Sequence, residues 1–184
     1  MTDDLLALRV DDFLAALAAG DPEPGSGSAA ALVVAMSAGL VANAARRSRD
    51  VWAEAGGAAA QAETLRQRAM PLAHADARAY GEAHARLARA EGADHTLAEA
   101  LDRAAEIPLE IARAGADVAS LAREVCERCD PALRPDVLGA AVLAAAAAQA
   151  AAQPVEANLT VNEDDPRVQQ ATAYAEAALV SAGG

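Results

Sequence analysis

The sequence predicts an all-α fold, an up-and-down helical bundle that forms an intertwined or tightly packed homodimer. Hydrophobic residues make up 54% of the 184 residues but aromatic residues only 2%, so the core consists mainly of Ala, Leu and Val. Alanine is the best helix former and is depleted in strands. Apolar residues also recur at helical spacing, and no alternating β pattern is present. The length suits one domain over residues 1–184, because no linker divides it.

Six helices are expected, and the first two flank a loop. Apolar residues at helical spacing between Leu5 and Leu17 predict an amphipathic first helix that ends near Gly20. A proline- and glycine-rich loop over Asp21–Ser28 follows. The second helix, from about Ser28 to Arg47, is apolar nearly all round and is therefore central.

The rest of the chain continues this pattern, with Gly56-Gly57 as the break before the third helix. Proline inside a helix removes one hydrogen bond and clashes with the preceding turn. The third helix covers about residues 58–90, and Pro71 kinks or divides it. After a turn over residues 91–96, a fourth helix runs to about Cys129 with a kink at Pro108. A fifth helix runs from near Pro135 to about Ala152, where Pro154 interrupts it, and a last helix runs from residues 164–166 through Val180.

Charge and cysteine content exclude several classes of function. The formal net charge of −12 argues against nucleic acid or an anionic membrane as partner. The two cysteines, and the lack of a secretory signal before the first charged helix, predict a reduced cytoplasmic protein. The segments Ser28–Ala45 and Val137–Ala152 are long enough to suggest membrane spans. Both consist mainly of alanine with polar interruptions, so buried bundle helices are expected instead.

Familiar catalytic and metal motifs are missing. Cys126 and Cys129 have ligand-like spacing, but a zinc site needs about four donors and no second pair exists. The three histidines follow no metal-ligand pattern, so we expect no metal. Gly25-Ser26-Gly27 follows no predicted strand and so forms no nucleophile elbow, and a phosphate loop is excluded because the chain has no lysine.

The loop that precedes the second helix is the first candidate site. Gly25 and Gly27 let the backbone approach another group closely, and Ser26 or Ser28 is placed to cap the helix. The first-turn amides of such a helix suit an anionic or carbonyl-bearing ligand.

Asp76 and Tyr80 form the second candidate. They lie four residues apart on one helix face, with small alanines around them, and a carboxylate beside a phenol can transfer protons. The alternative is a solvated face on which Asp76 pairs with an arginine. Arg46, Arg47 and Arg49 likewise either complement the dipole of the second helix or bind a carboxylated ligand. Asp136, similarly, could simply complement the dipole at a helix start.

Several segments in order resemble one protein family. They are Asp12–Ala18, Pro22–Ala31, Met36–Asn43, Asp76–Tyr80, Ile107–Ala112, Asp136–Ala141 and Asn158-Leu159. Together they resemble the cyclodeaminase/cyclohydrolase family, which includes the C-terminal half of formiminotransferase-cyclodeaminase and methenyltetrahydrofolate cyclohydrolases. The resemblance implies an all-α homodimer that acts on a tetrahydrofolate derivative as substrate, without a metal or redox cofactor. Formimino-tetrahydrofolate would cyclise to the methenyl form with loss of ammonia, or water would open the methenyl bridge.

The resemblance also implies roles for individual residues. Asp76 would be the proton-transferring acid and base, with Tyr80 and His74 as assistants. Arg46, Arg47 and Arg49 would attract the glutamate tail. The residues implied to bind or orient the rest of the substrate are Pro24, Gly25, Ser26, Gly27, Ser28, Asn43, Asp136 and Asn158.

Some positions depart from the family pattern and keep two other functions open. Ser26 replaces the middle glycine of the loop, Ala73 and His74 stand where an acidic residue is expected, and Pro154 and Glu156 replace an asparagine and a basic residue. Glu156 would repel a glutamate tail. The alternatives are an enzyme of the same fold that acts on a non-folate amidine or cyclic imine, and a non-catalytic helical dimer that binds a ligand or a partner protein.

Overall fold

The chain folds into helices joined by short connections. The computed structural model describes residues 5–21, 23–89, 95–159 and 165–183, with only the backbone for residues 95 and 96. The α-helices are α1 (Val10–Ala18), α2 (Ser26–Arg47), α3 (Ala55–Leu87), α4 (His95–Arg128), α5 (Arg134–Asn158) and α6 (Pro166–Ala182). Short 3-10 turns at Leu5–Ala7 and Pro131–Leu133 precede α1 and α5. No strand occurs in these ranges, and the predicted all-α class is confirmed.

Three details of the predicted elements are wrong. The first helix is divided into a 3-10 turn and α1, which begins at Val10. Gly56-Gly57 is not a break but lies in the first turn of α3. Pro154 does not interrupt α5, which continues to Asn158. A proline costs one backbone bond, and burial of the flanking Ala151 and Val155 offsets that cost near the helix end. Most of the predicted turn over residues 91–96 lies outside the described residues.

Helices α2, α4 and α5 form the centre of the bundle. Helix α5 packs along α4, α2 and α6, while α3 packs along α2 and α4. The principal core cluster is mostly alanine, with a few larger side chains such as Val34, Ile111 and Val118. A Cβ on Gly115 of α4 would lie only 2.9 Å from the Ala144 carbonyl oxygen. The missing side chain therefore allows α4 and α5 to approach this closely.

Helices α2 and α5 keep an apolar surface outside the bundle. Its largest members are Met36 and Leu40 on α2, and Leu138, Val142 and Leu143 on α5, all of which are exposed. Ser26–Arg47 and Pro131–Asn158 are also long and apolar enough to cross a membrane. The most apolar stretch of each is 61% and 44% buried inside the bundle, respectively, and core helices of soluble proteins share this property. The length and apolar composition of these two helices are therefore weak evidence for a membrane protein.

Candidate active site at the start of α2

A cavity of about 340 Å³ opens where four helices meet. The start of α2, the middle of α3, the proline-containing part of α4 and the end of α5 each contribute to its wall. The lining residues are Gly25, Ser26, Gly27, Asp76, Tyr80, Ala104, Pro108, Gln153, Pro154, Ala157 and Asn158. Its volume lies within the range of small-molecule sites, and its wall is mainly apolar with a few polar groups.

Asp76 is a buried acid that lies against the first turn of α2. Its Oδ2 lies 3.0 Å from the Ser28 hydroxyl, and only 7% of the residue is exposed. Burial raises the pKa of Asp76, while the hydroxyl and main-chain amide of Ser28 lower that pKa to a smaller extent. The alternative of a solvated helix face, with Asp76 paired to an arginine, is therefore wrong.

Gly27 makes this close approach possible. A Cβ at Gly27 would lie 2.1 Å from Asp76 Oδ1 and 2.7 Å from Oδ2. The Asp76 carboxylate thus occupies the space that any other side chain at position 27 would fill. It also faces the positive end of the α2 dipole, which stabilises its ionised form.

Ser28 does not act as the sequence predicted. The N-cap of α2 is Gly25, which provides no side-chain bond, and neither Ser26 nor Ser28 caps the helix. The Ser28 hydroxyl lies 2.8 Å from the Ala73 carbonyl oxygen and 3.0 Å from Asp76 Oδ2. Ser28 is completely buried, so it contacts Asp76 rather than the cavity. Pro24, joined to Glu23 by a cis peptide bond, is buried as well and does not line the cavity.

Of the two predicted assistants of Asp76, Tyr80 lines the cavity and His74 does not. Tyr80, one helical turn after Asp76, lines the same cavity and is 41% exposed. His74 does not line the cavity, because a residue two positions away on a helix points about 200° around its axis. The Tyr80 ring lies instead beside another histidine, His84, with 6.2 Å between ring centroids.

Asn158 also belongs to the cavity wall. Its side-chain Nδ2 donates a hydrogen bond of 2.9 Å to the Ala104 carbonyl oxygen in α4. Asn158 is therefore held between the end of α5 and the part of α4 that contains Pro108.

Four predicted binding residues lie far from the cavity within one chain. Arg46 is twenty residues beyond Ser26 on α2, about 30 Å along the helix axis. Asn43 and Arg47 share this distant end, and Arg46 pairs there with Glu63 at 3.3 Å. Asp136 lies at the opposite end of α5 from Asn158, about 33 Å away. Within one chain these residues therefore do not line the cavity, because the lengths of α2 and α5 carry them to the other end of the bundle; their roles in binding stay predictions.

Sequence reasoning missed five lining residues, Ala104, Pro108, Gln153, Pro154 and Ala157. Pro108 and Pro154 were considered as residues that kink or interrupt a helix, and Pro154 also as a departure from the family pattern, but neither was predicted to line a site. Gln153 is a polar residue after an alanine run, which was a usable signal. Ala104 and Ala157 carried no signal in the sequence that could have identified them as lining residues.

Metal-ligating groups do not cluster in the part of the chain that the structure describes: no three His, Cys, Asp or Glu side chains there could hold an ion. Cys126 and Cys129 are free thiols near the end of α4. Burial raises the pKa of Cys129, and the neighbouring Cys126 raises it further.

Comparison with known proteins agrees with this architecture. The family described as formiminotransferase-cyclodeaminase matches residues 9–177. A crystal structure of formiminotetrahydrofolate cyclodeaminase from Thermotoga maritima superimposes with a TM-score of 0.85 and 24% sequence identity, covering 98% of this chain and 93% of that one. At this identity the likeness establishes a common fold. No curated protein matches the chain. The match over nearly the whole length confirms the resemblance read from the sequence: the chain belongs to the formiminotransferase-cyclodeaminase family.

Proposed function

We propose that the protein is a folate one-carbon enzyme that interconverts formimino- or formyl-tetrahydrofolate and 5,10-methenyl-tetrahydrofolate. Family membership supports the substrate class. The observation that carries the proposal is the buried Asp76 carboxylate, which lines a cavity and lies against the start of α2. An acid that is buried, lines a cavity and has a raised pKa is a candidate catalytic group, which favours an enzyme over a non-catalytic binding dimer.

In the cyclodeaminase direction, Asp76 would move one proton between two nitrogens. N10 of the substrate attacks the carbon of the protonated formimino group (C=NH2+), and the ionised carboxylate takes the N10 proton. The protonated acid then gives this proton to the leaving nitrogen, the carbon–nitrogen bond breaks, and ammonia departs. The ionised carboxylate stabilises the methenyl cation that remains. A raised pKa suits this cycle because it makes the Asp76 carboxylate a stronger base than an ordinary aspartate.

In the cyclohydrolase direction, the same group would act first as a base. Asp76 takes a proton from water as the oxygen adds to the methenyl carbon, and it then protonates the ring nitrogen whose bond to that carbon breaks. The remaining hydroxyl proton returns to the carboxylate as the formyl C=O forms. Neither reaction changes an oxidation state, so we propose that no redox cofactor is needed. Tyr80 would donate a hydrogen bond at the cavity mouth, and Gly25, Ser26, Gly27 and Asn158 would contact the substrate.

The Ser28 hydroxyl would support both protonation states of Asp76. A hydroxyl carries one hydrogen, so it donates either to the Ala73 carbonyl oxygen or to Asp76 Oδ2. When Asp76 is ionised, Ser28 donates to the carboxylate. When Asp76 is protonated, the acid donates to Ser28, which turns to the Ala73 carbonyl oxygen.

One observation favours a second candidate, a same-fold enzyme for an amidine or cyclic imine without a glutamate tail. Among the described residues that line the cavity, none is basic. An amidine or iminium carbon would still meet Asp76, and it would require no arginine. Glu156 is not among the lining residues, so it does not oppose a glutamate tail inside the cavity.

We propose a homodimer, located in the cytoplasm, that uses the apolar surface of α2 and α5. Met36, Leu40, Leu138 and Val142 would be covered by the same residues of a second copy. A two-fold axis perpendicular to α2 would bring the Arg46 end of the second copy towards the cavity of the first. Sedimentation of the wild type and of Val142→Asp tests this, since a monomeric wild type would contradict it.

The experiment that tests the function measures methenyl-tetrahydrofolate by its absorbance. Wild-type protein is added separately to formimino-tetrahydrofolate, with ammonia measured in parallel, and to methenyl-tetrahydrofolate. Asp76→Asn should lower kcat by about 100-fold to 10,000-fold, because general acid–base catalysis contributes this much. Asp50→Asn is the matched control, since Asp50 is exposed beyond the far end of α2. Lack of turnover by the wild type on both folates, or full activity of Asp76→Asn, would refute the proposal.

A further inference from the structure

The prolines inside the helices leave carbonyl oxygens without their usual donors. In an α-helix, each N–H bonds to the carbonyl oxygen four residues earlier. Pro108 lies within α4 and has no N–H, so the Ala104 carbonyl oxygen lacks its helical partner. Pro108 is fully buried, which leaves the freed oxygen little access to bulk water. An unsatisfied carbonyl oxygen in such a position is costly.

The Asn158 side chain satisfies this oxygen. Its Nδ2 lies 2.9 Å from the Ala104 carbonyl oxygen. A carbonyl oxygen only accepts hydrogen bonds, so the amide must present its nitrogen to Ala104 and cannot turn over without breaking the bond. The orientation of the Asn158 amide is thereby defined by a gap in the hydrogen bonding of α4.

This orientation determines what Asn158 offers to a ligand. Asn158 lines the cavity together with Ala104 and Pro108. In the described part of the chain, no group donates a hydrogen bond to Asn158 Oδ1. Among the described residues this oxygen is therefore an acceptor without a donor, on a residue that lines the same cavity as Asp76. An acceptor of defined direction in a mainly apolar cavity suits a planar heterocycle that presents a ring N–H group.

We propose that Pro108 is a positioning residue: by freeing the Ala104 carbonyl oxygen it holds the Asn158 amide, whose oxygen accepts a hydrogen bond from a ring N–H of the ligand. The identity of this ligand as a reduced pterin rests on the proposed function. The positioning of Asn158 by Pro108 does not depend on it.

The first test examines the bond without any ligand. In ¹⁵N spectra, the Asn158 side-chain amide is assigned by its disappearance in Asn158→Asp, and its hydrogen exchange is measured. Exchange should be slow in the wild type and at least tenfold faster in Pro108→Ala, because the restored N–H competes for the Ala104 oxygen. Equal exchange in the two proteins would overturn the positioning role. Pro71→Ala is the matched control, since Pro71 also lies inside a helix but is exposed and away from the cavity.

The second test is a double-mutant cycle on binding of 5-formyl-tetrahydrofolate by calorimetry. Asn158→Ala and Pro108→Ala should each weaken binding about tenfold, as expected for one lost hydrogen bond that leaves a partner unpaired. Together they should weaken it hardly further, because both remove the same interaction. A double variant weakened by about 100-fold would refute the inference, and urea unfolding of each variant identifies any loss from misfolding. If the wild type fails to bind this folate, the proposed function fails, while the exchange measurement still decides the role of Pro108.

Discussion

Replacing Gly27 by alanine should slow catalysis without unfolding the protein. The added Cβ would lie 2.1 Å from Asp76 Oδ1 and 2.5 Å from its Cγ, whereas an ordinary contact begins at 3.4 Å. The carboxylate must therefore retreat by about 1.3 Å, since the Cβ belongs to a helix backbone that cannot yield easily. A misplacement of about 1 Å at a reacting group can reduce the rate about 100-fold. Alanine also favours a helix over glycine by about 1 kcal/mol, so overall stability should hold.

The assay is turnover of methenyl- or formimino-tetrahydrofolate against pH. We expect kcat for Gly27→Ala to fall about 100-fold, by the displacement argument above. Displacement towards water should also lower the pKa of Asp76, since burial is the main cause that raises it. The limb of the pH profile that reports Asp76 should therefore move to lower pH.

Gly39→Ala is the matched control for this experiment. Gly39 lies in the same helix, and the nearest atom to an added Cβ is Arg66 Cδ at an ordinary 3.8 Å. This variant should keep wild-type turnover. Wild-type kcat and an unshifted pH profile in Gly27→Ala would refute the reasoning, because the Asp76 carboxylate would then not need its present position.

Three further predictions concern stability. Asp76→Asn should stabilise the protein at pH 7. The pKa of Asp76 is higher in the folded protein than its unfolded value of 3.8, so ionisation of Asp76 lowers the stability of the wild type as pH rises above 3.8. Urea unfolding should show the gain in stability vanish below pH 4, and a gain that does not depend on pH would contradict the prediction. Gly115→Ala should destabilise the protein by about 1–3 kcal/mol through overpacking against α5. Gly57→Ala should not, because no atom lies within 4 Å of a Cβ at that position. Equal urea unfolding midpoints for the two variants would count against the close α4–α5 packing. Asp165→Ala should lower stability at pH 7, because Arg167 holds the pKa of Asp165 at about 2. That loss should shrink as pH falls from 4 towards 2, where the wild-type carboxylate is itself protonated, and a constant difference over this interval would rule out the ion pair as its source.

Much of the fold could be predicted because helix formation in this chain is a local property. The alanine-rich composition and apolar spacing define most helices, and α2, α3 and α4 lie within a few residues of their predicted bounds. Errors occurred where tertiary packing outweighs local preference. Gly56-Gly57 is helical and Pro154 lies inside α5, because packing of neighbouring buried residues outweighs the low helix propensity of glycine and proline.

Which residues share the cavity could be predicted only in part. Asp76 and Tyr80 are one helical turn apart, so the sequence alone placed them on one face. That the Gly27 position opposes Asp76, and that Asn158 bonds the Ala104 carbonyl oxygen, depends on how separate helices pack. The arginines of α2 are chemically suited to bind a carboxylated ligand, but about 30 Å of helix separates Arg46 from the cavity of the same chain. Their charge alone therefore did not indicate where they lie.

The sequence by itself determined that this chain is a helical bundle and that Asp76 and Tyr80 share one helix face, because helix propensity and spacing along a helix depend on neighbouring residues; the choice of Asp76 as the acid came from the family resemblance. Only the tertiary structure decided that Asp76 is buried against the start of α2, that Ser28 contacts Asp76 rather than a ligand, and that Pro108 leaves an oxygen for Asn158. The physical reason is that burial and hydrogen-bond partners arise between helices distant in the chain. These contacts depend on packing geometry, which local preferences do not contain.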